Sequence, residues 1–371
     1  MKEFVLRDQD IIVISNEPWG EIWFSKHNYA YEFSKNNKVV FINPTKKWKI
    51  KNLFSNKITT EKYSDNLTIL NYRNYLPALT FLLFRLNNFF VSHLLGRFFN
   101  ENNIRNFICW SFDPYRLYYP KSIGAKLSVF HSVDKYNFKH FGEKLLCRNV
   151  DFIFCVSPSF VNSNKAFCNH VYVIPHGISS EEFLIDEKEI QDSDLALTNY
   201  GLYVGNIDER LDYKLLDEVL SNFPHVNFVF VGKLSFLPEN KLASKIFINK
   251  AFSNLYIVGP KHFKKLKFYI ANSSFCLALM SHSHPGNKIA HHKILQYLAL
   301  GKPIFSCKFS DYETIKDLLY MNDNDTELIA SLASFLKNGE DTRLKNKRIE
   351  YSRKFLFEEN IEKAEKIISN M

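Results

Sequence analysis

Short runs of apolar, β-forming residues recur along the chain, and stretches long enough for helices separate them. Seven of these runs lie in the first half: DIIVIS (10–15), KVVFIN (38–43), LTILNY (67–72), NFICWS (106–111), KLSVFHS (126–132), DFIFCVS (151–157) and HVYVIP (170–175). Five lie in the second half: GLYVGN (201–206), VNFVFVG (226–232), NLYIVG (254–259), FCLALM (275–280) and KPIFSC (302–307). They are almost continuously apolar, which is typical of parallel strands covered on both faces. Two such series predict an α/β chain of two doubly wound, Rossmann-like domains.

The predicted join between the domains lies in the segment IPHGISSEEF, where Pro175 and Gly177 interrupt the pattern. A chain of 371 residues is also too long for one ordinary core. We therefore predict a first domain over 1–176, a second over 177–345, and a charged helix over 346–371 that packs back toward the first. Ligands of such sheets bind beyond the carboxyl ends of the strands, so site residues are expected directly after strands, in a cleft between the domains.

The net charge of +9 is compatible with nucleic acid, an anionic membrane surface or anionic substrates. No basic helix, zinc-binding spacing or RNA-binding aromatic motif is present in the sequence, so we expect no nucleic-acid partner. The six cysteines form no CxxC pair and most lie in apolar runs, as expected of free thiols in a reducing compartment. The first ten residues, MKEFVLRDQD, do not resemble a cleavable signal, and we predict a cytoplasmic protein.

The longest apolar stretch, 75–99, contains Pro77, Arg85 and Arg97, which exclude it as a membrane span. Two interpretations stay open. The segment is either a buried crossover helix, or an interfacial helix that lays the first domain on the anionic inner face of the cytoplasmic membrane.

Five segments occur in a characteristic order: IPHGISSEEF, GLYVGNIDERLDYKLL, VNFVFVGKL, NLYIVGPKHFKKLKFYIANSSFCLAL and KILQYLALGKPIFS. Together they resemble the nucleotide-sugar glycosyltransferases of GT-B fold that build bacterial surface polysaccharides. The resemblance implies an acceptor-binding first domain and a donor-binding second domain. It also implies transfer of a hexosyl or glycuronosyl group, without a metal or other cofactor, from a nucleotide-diphosphate sugar, with UDP favoured. The acceptor is expected to be a lipid-linked or growing glycan.

One departure from the family pattern concerns the reaction type. Many retaining members carry two glutamates eight positions apart before the YLA-GKP segment, whereas this chain has Lys288 and Gln296 there. This feature resembles the inverting glucuronosyltransferase of xanthan-type exopolysaccharide synthesis and implies inversion. A nucleotide-sugar 2-epimerase of the same fold and a catalytically silent sugar-binding relative are the alternatives.

The segment GNKIAHHKILQYLALGKPIF predicts a helix that starts at Gly286 and Asn287 and stops at Gly301, before Pro303. Its predicted buried face consists of Ile289, Ile294, Leu295 and Leu298.

The same helix carries the candidate donor-binding residues His292, Lys293 and Gln296. Lys293 and Gln296 are three positions apart and share one side of the helix. A helix N-terminus attracts anions, so Gly286, Asn287 and the Lys293 ammonium are predicted to hold a diphosphate. The alternative is a solvated helix face without a ligand.

Further donor contacts are predicted after two strands of the second domain. Gly205 permits close approach of the backbone, and Asn206 and Arg210 are placed to reach phosphate. Lys233 follows the next strand with the same logic. The alternative for Arg210 is that it only caps and solvates the following helix.

An inverting transfer needs a base within hydrogen-bond reach of the acceptor hydroxyl. Asp134 follows a strand of the first domain, and the resembling enzymes hold an Asp in this region, so Asp134 is the predicted catalytic base. Its alternative role is to cap the next helix. Asp113 and the segment that contains Glu21 and His27 supply fallback bases or acceptor contacts.

The predicted acceptor site also includes Trp19 and Gly20, since a tryptophan can stack on a sugar and a glycine lets the backbone approach it. Trp19 and Trp23 can equally belong to the apolar core. His282 and His284 lack a third ligand in the sequence, so no metal site is expected.

Overall fold

The computed structural model describes residues 5–45, 48–50, 58–77, 79–134, 138, 140–183, 195–281, 291–322 and 324–370. The chain divides into two compact units, one made of Met1–Pro175 with Phe357–Met371 and the other of His176–Leu356. The first division falls at Pro175, next to the predicted join. The return to the first unit occurs at Phe357 rather than at the predicted residue 346, because the helix between them packs on the second unit.

The first unit contains an eight-stranded sheet with the order β3-β4-β2-β1-β5-β6-β7-β8. Its strands are β1 (Asp10–Ile14), β2 (Lys38–Ile42), β3 (Thr59–Ser64), β4 (Leu67–Asn71), β5 (Phe107–Ser111), β6 (Ala125–Ser132), β7 (Phe152–Cys155) and β8 (Val171–Val173). All neighbours pair in parallel except β3 and β4. The seven predicted runs of the first half all contain strands, and most of their apolar side chains are buried.

Strand β3 was not predicted from the sequence. Its residues, TTEKYS, are all exposed and pair antiparallel with β4 at the edge of the sheet. An edge strand with both faces in solvent has no apolar pattern to reveal it, and its charged side chains protect the open edge.

Five helices belong to the first unit: α1 (Ser25–Ser34), α2 (Phe81–Glu101), α3 (Phe141–Asn149), α4 (Val161–Lys165) and α11 (Phe357–Ser369). The hydroxyl of Thr80 caps α2 by accepting from the Leu83 N–H, and Val91, Leu95 and Phe99 of this helix enter the core against the sheet. The predicted helical stretch at 75–99 is therefore helical from Phe81 onward, and one side of this helix is buried. Within the described residues, none of the helices combines the length and apolarity needed to cross a membrane.

The second unit contains a six-stranded, fully parallel sheet with the order β11-β10-β9-β12-β13-β14. Its strands are β9 (Tyr200–Val204), β10 (Phe228–Val231), β11 (Leu255–Ile257), β12 (Ser273–Ala278), β13 (Ile304–Cys307) and β14 (Tyr320–Asn322). Its helices are α5 (Tyr213–Asn222), α6 (Lys241–Phe247), α7 (Phe263–Asn272), α8 (His292–Ala299), α9 (Asp325–Asn338) and α10 (Arg343–Arg353). Two apolar clusters cover the two faces of this sheet, as expected of a doubly wound domain.

Helix α8 begins at His292, six residues after the predicted start, with His291 in an extended conformation at its N-cap. It ends as predicted at Gly301, which has φ of +68°. The Gly301 N–H donates to the Leu298 carbonyl and the Lys302 N–H to that of Tyr297, which is a Schellman ending.

Helix α10 is fixed to the second unit by Arg348, whose side chain is fully buried. Its guanidinium forms two hydrogen bonds with the Glu340 carboxylate, at 2.6 and 2.8 Å. It also donates to the Leu318 and Gly301 carbonyls. This buried, fully bonded cation explains why the chain leaves the second unit only after α10.

Candidate functional site

The carboxyl edge of the second sheet is built from glycines that let three strand-end loops approach closely. Gly205, after β9, has φ of +135° and donates its N–H to the Val231 carbonyl. Gly232, after β10, donates to the Gly259 carbonyl. A Cβ atom on Gly232 would lie 1.9 Å from the Gly205 carbonyl oxygen, so no side chain fits there without moving the Gly205 loop. Gly205 was predicted as a site residue, whereas the need for Gly232 is visible only in the fold.

The first turn of α8 lies against this edge. The Lys293 ammonium is 4.0 Å from the centre of the Tyr203 ring, and a Cβ atom on Gly205 would lie 3.2 Å from it. The Tyr297 hydroxyl, one turn later, accepts a hydrogen bond of 2.8 Å from the Val204 N–H. The helix is therefore registered on the end of β9, and its N-terminal turn and its lysine meet the Gly205 loop.

The Lys293 ammonium is largely buried, and no described residue forms a hydrogen bond or ion pair with it. Burial lowers its pKa to about 7, the nearby Arg210 cation adds to this, and Asp208 opposes it. A buried cation without an ion-pair partner is stabilised when an anion arrives. This position is therefore suited to a diphosphate, and an anion bound there would raise the pKa again.

Arg210 is held within its own loop, where its guanidinium forms a bidentate ion pair with Asp208 at 2.7 to 3.2 Å. The Arg210 carbonyl accepts from the Ser281 N–H, which ties the loop to the chain after β12. Asn206 and Lys233 are exposed at the same edge. The structure thus brings Gly205, Asn206, Arg210 and Lys233 to one end of the sheet, while the charge of Arg210 is already shared with Asp208.

Gln296 is buried rather than on a solvated helix face. Its amide nitrogen donates a 2.6 Å hydrogen bond to the Glu182 carboxylate. Glu182 closes the 3-10 turn Ser180–Glu182, where it forms a capping box with Ser179. Ile178 from the same segment packs on Leu295 and Ala299 of α8.

Glu182 was not predicted as a candidate residue, although the pattern SSEE at 179–182 is typical of a capping box. Gln296 occupies the position of the second family glutamate. A carboxylate is nevertheless present there, because Glu182 is hydrogen-bonded to the Gln296 side chain.

Two histidines flank the start of α8. The His291 ring packs on Phe309 at 5.4 Å, and burial, Lys293 and Arg210 lower its pKa to about 3, so it stays neutral. The His292 ring lies 6.3 Å from that of His176. The Nε2 atoms of His291 and His292 are both buried and have no hydrogen-bond partner among the described residues. The other predicted residues of this segment lie outside the described residues: Gly286, Asn287, Lys288, Ile289, His282 and His284.

The carboxyl edge of the first sheet gathers a second group of charged residues. Asp134 follows β6 and is exposed. Lys26, on α1, is buried and donates a 2.6 Å hydrogen bond to the Asn16 side chain. Burial lowers the pKa of Lys26, and the negative charges of Glu17, Asp134 and Asp113 oppose that shift. Lys26 was not predicted from the sequence, because nothing in the pattern marks a lysine on a crossover helix as buried beside carboxylates.

Asp113 stays a predicted fallback base or acceptor contact, and both of its oxygens make contacts within the first unit. One oxygen accepts from the Tyr115 N–H, and the other accepts from the Arg116 guanidinium. Arg116 also donates to the carbonyls of Asn43 and Ser15, which follow β2 and β1. This buried ion pair closes the ends of three strands, and Asp113 itself is 4% exposed.

Glu143, in the first turn of α3, is a further carboxylate that the sequence did not indicate. Its side chain is 4% exposed, and its Oε2 atom has no hydrogen-bond partner within the described part of the chain. Burial raises the pKa of the nearby Tyr115 hydroxyl, and the Glu143 carboxylate, which is hydrogen-bonded to it, adds to this, as do Asp113 and Asp134. The first-unit edge therefore holds three carboxylates around one tyrosine.

The predicted acceptor residues after β1 divide into two groups. Trp19 and Trp23 lie side by side with ring centres 5.0 Å apart, and Trp19 also contacts Tyr63 at 4.9 Å. Gly20 and Glu21 are exposed next to them, and a Cβ atom on Gly20 would meet open space. This partly exposed aromatic surface is compatible with sugar stacking and with edge packing.

His27 does not belong to that surface, and its role as a base or acceptor contact stays a prediction. The residue is fully buried; its Nδ1 accepts a 3.0 Å hydrogen bond from the Phe24 backbone N–H, and its Nε2 lies 3.0 Å from the Pro18 carbonyl oxygen. Burial lowers its pKa to about 4, so the ring is neutral. His27 closes the start of α1.

Among the described residues, no group of three or more histidine, cysteine, aspartate or glutamate side chains is arranged to hold a metal ion. All six cysteines are buried and free.

No family model and no curated protein matches the chain. Solved structures do. A sucrose-phosphate synthase (tll1590) from Thermosynechococcus elongatus matches with a TM-score of 0.69 at 13% identity, covering 98% of both chains. HepE (Alr3699) from Anabaena, solved with UDP and glucose, matches with a TM-score of 0.68 at 13% identity, covering 98% of this chain and 100% of its own. The chain has the GT-B fold.

A glycosyltransferase from Rickettsia africae ESF-5 also matches this GT-B chain, with a TM-score of 0.67 at 15% identity over 98% of this chain and 100% of its own. The predicted fold class is thus confirmed. The narrower resemblance to surface-polysaccharide enzymes stays a prediction. In this GT-B chain, the edge with Lys293 belongs to the second unit and the edge with Asp134 to the first.

Proposed function

We propose that the protein is a glycosyltransferase that moves a sugar from a nucleotide-diphosphate donor, preferably a UDP-sugar, to a lipid-linked or growing glycan in bacterial surface polysaccharide synthesis. The donor diphosphate binds at the N-terminus of α8 beside Lys293. Support comes from the GT-B fold and from structural neighbours described as sucrose-phosphate synthase and as HepE with UDP and glucose. The proposed reaction inverts the anomeric centre, and protein side chains rather than a metal ion carry it out.

The observation that carries the proposal is the environment of Lys293. Its buried ammonium has no ion-pair partner among the described residues, and it lies beside the Gly205 backbone at the start of a helix. Helix N-termini and lysines both stabilise phosphate groups, and here the two coincide. Because neither Gly205 nor Gly232 carries a side chain, the two strand-end loops and the Lys293 ammonium lie close together at this edge.

In the proposed reaction, an acceptor hydroxyl oxygen attacks the anomeric carbon while the bond from that carbon to the diphosphate oxygen breaks. Asp134 accepts the hydroxyl proton, since it is exposed at a strand end and, among the described residues, no arginine pairs with it as Arg116 pairs with Asp113. The departing electron pair stays on the diphosphate, where Lys293 and the α8 N-terminus stabilise the new charge. Lys26 lies close enough to Asp134 for the negative charge of Asp134 to act on the Lys26 ammonium.

The experiment is an assay of Asp134→Asn with UDP-sugars and glycan acceptors, run beside isothermal titration calorimetry of UDP. We expect turnover to fall by about a thousandfold or more, as for loss of a general base, while the UDP affinity is unchanged. Asp65→Asn is the matched control, because Asp65 is an exposed turn residue of the first unit distant in sequence from the site. If UDP affinity falls as well, Asp134 has a structural role instead.

Two further results would redirect the proposal. Conversion of a UDP-sugar without any acceptor would identify a 2-epimerase, and binding of UDP-sugars without any turnover would identify a silent relative. Loss of activity in EDTA would contradict the metal-independent reaction.

A further inference from the structure

The N-terminal half of α2 exposes an unusual amount of apolar surface. Fifteen large apolar side chains are exposed among the described residues, and six of them fall within residues 79–90. This α2 patch consists of Leu79, Phe81, Leu82, Leu86, Phe89 and Phe90. Single exposed apolar residues are ordinary, but a contiguous group indicates a surface that is covered in use.

The helix cannot rotate to bury the patch, because its other side is fixed by specific contacts. Asn87 and Asn88 are both buried there. The Asn87 side-chain oxygen accepts from the Leu76 N–H at 2.9 Å, and that of Asn88 accepts from the Leu117 N–H at 2.8 Å. A turn of the helix about its axis would leave these amides and two backbone donors without partners. The exposure of the α2 patch is therefore a fixed property of the fold.

The charged residues around the patch are predominantly basic. Arg85 projects from the patch and lies 5.6 Å from the Phe81 ring centre. Phe141, the first residue of α3, contacts Phe81 at 4.7 Å, and the charged residues exposed on α3 are Lys144 and Arg148. On α2 the single acidic residue is its last, Glu101, which pairs with Arg97 at 2.7 Å. An apolar face bordered by the cations of Arg85 and of α3 matches the surface of an anionic bilayer.

The patch is also continuous with the first-unit edge that carries the proposed base. Phe84 of α2 packs on His140 at 5.4 Å, and His140 packs on Tyr115 at 5.0 Å. Tyr115 is in turn hydrogen-bonded to Glu143. A bilayer against the patch would therefore lie next to the proposed acceptor site.

We infer that the α2 patch binds an anionic membrane surface and that the acceptor is consequently the lipid-linked one of the two acceptor classes. The second part of this inference rests on the proposed function, whereas the membrane contact does not. Apolar residues of the patch enter the interfacial region, and Arg85, Lys144 and Arg148 meet the anionic headgroups.

The test is co-sedimentation of the full-length protein with vesicles of phosphatidylcholine alone and of phosphatidylcholine with phosphatidylglycerol. The wild type is expected to bind the anionic vesicles and to be released by high salt. Leu82→Ser combined with Phe89→Ser should weaken binding by about tenfold or more, because both side chains lose their apolar burial. Leu237→Ser combined with Ile248→Ser is the matched control: both residues are similarly exposed but lie in the second unit, and binding should not change.

Three outcomes would overturn the inference: a wild type that does not sediment with anionic vesicles, an α2 variant that binds as the wild type does, or a control variant that loses binding equally. A wild type that is dimeric without vesicles, with a monomeric α2 variant, would assign the patch to self-association instead. UDP calorimetry on the same variants separates this test from the proposed function. If the wild type binds UDP but not the vesicles, only the present inference is rejected. If the wild type binds the vesicles but not UDP, only the proposed donor site is rejected.

Discussion

The most informative perturbation is Lys293→Met, which keeps an unbranched side chain only one atom shorter and removes its charge. Burial gives Lys293 a pKa of about 7 in the folded chain, against an ordinary value of 10.5. Because the folded pKa is the lower one, the unfolded state binds the proton more tightly. The charged lysine therefore destabilises the fold fully below pH 7, and this penalty disappears as the pH rises toward 10.5.

The size of this penalty follows from the two pKa values. The difference corresponds to at most about 5 kcal/mol of unfolding free energy at pH 6.5. Water penetration and the contact with the Tyr203 ring reduce the net value, the latter by about 1 to 2 kcal/mol. We expect Lys293→Met to raise the unfolding free energy of the second unit by about 2 kcal/mol at pH 6.5 and by much less at pH 10.

The assay is hydrogen exchange of the β9 and α8 amides at both pH values, together with UDP calorimetry. All four tryptophans lie in the first unit, at positions 19, 23, 48 and 110, so tryptophan fluorescence monitors that unit as an internal control. Lys293→Met should protect the amides of the second unit more strongly and abolish UDP binding. A residue that lowers stability and is needed for binding is the signature of a ligand site.

The matched control is Lys302→Met. Burial also lowers the pKa of Lys302, but its ammonium donates to the carbonyls of Ala271 and Ser273 at 2.7 and 2.5 Å. Its loss should destabilise the second unit by about 2 kcal/mol or more, because two buried carbonyls lose a charged donor. If Lys293→Met destabilises the unit as Lys302→Met does, or binds UDP normally, the reasoning about Lys293 is refuted.

Two further predictions concern the surroundings of Lys293. Gly232→Ala should displace the Gly205 loop and weaken UDP binding, measured by calorimetry, at least about tenfold. The control is Gly339→Ala: Gly339 has φ of +69° and lies in open space, so this variant should lose about 1 kcal/mol of stability and bind UDP as the wild type does. Equal losses of UDP affinity in the two variants would contradict the packing argument. Gln296→Glu should lower the unfolding free energy by about 1 to 2 kcal/mol at pH 7.5, measured by urea denaturation, because two carboxylates would meet. Adding Glu182→Gln should restore it, and a double variant as unstable as the single one would refute the pairing.

The strands and the fold class could be predicted because parallel, doubly covered strands are apolar along their whole length, as in β1 and β9. The exposed strand β3 has no such pattern, and strand β14 is only partly buried at the edge of the second sheet. An apolar run in the sequence thus reveals a covered strand, whereas the less covered edge strands β3 and β14 are seen only in the paired sheets.

In the candidate site, too, some residues could be predicted from the sequence and others could not. Lys293, Gly205 and Asp134 could be selected because each directly follows a strand or starts a helix. Glu182 could not, because its partner Gln296 is 114 positions away and their contact depends on how the segment after Pro175 packs on α8. Histidine and aspartate are common catalytic residues, which is why His27 and Asp113 could be selected. In the structure, His27 is hydrogen-bonded to the backbone and Asp113 to Arg116, and neither contact is visible in the sequence.

The central claim, that a nucleotide diphosphate binds against Lys293, can be tested by the protons taken up on binding. Calorimetry of UDP at pH 8.5, in buffers of different ionisation enthalpy, measures this number. Lys293 is mostly neutral at that pH in the free protein, and an adjacent diphosphate should return it to the charged form, with uptake of about one proton per UDP in the wild type and none in Lys293→Met. UDP binding without proton uptake, or with equal uptake by the variant, would place the diphosphate elsewhere.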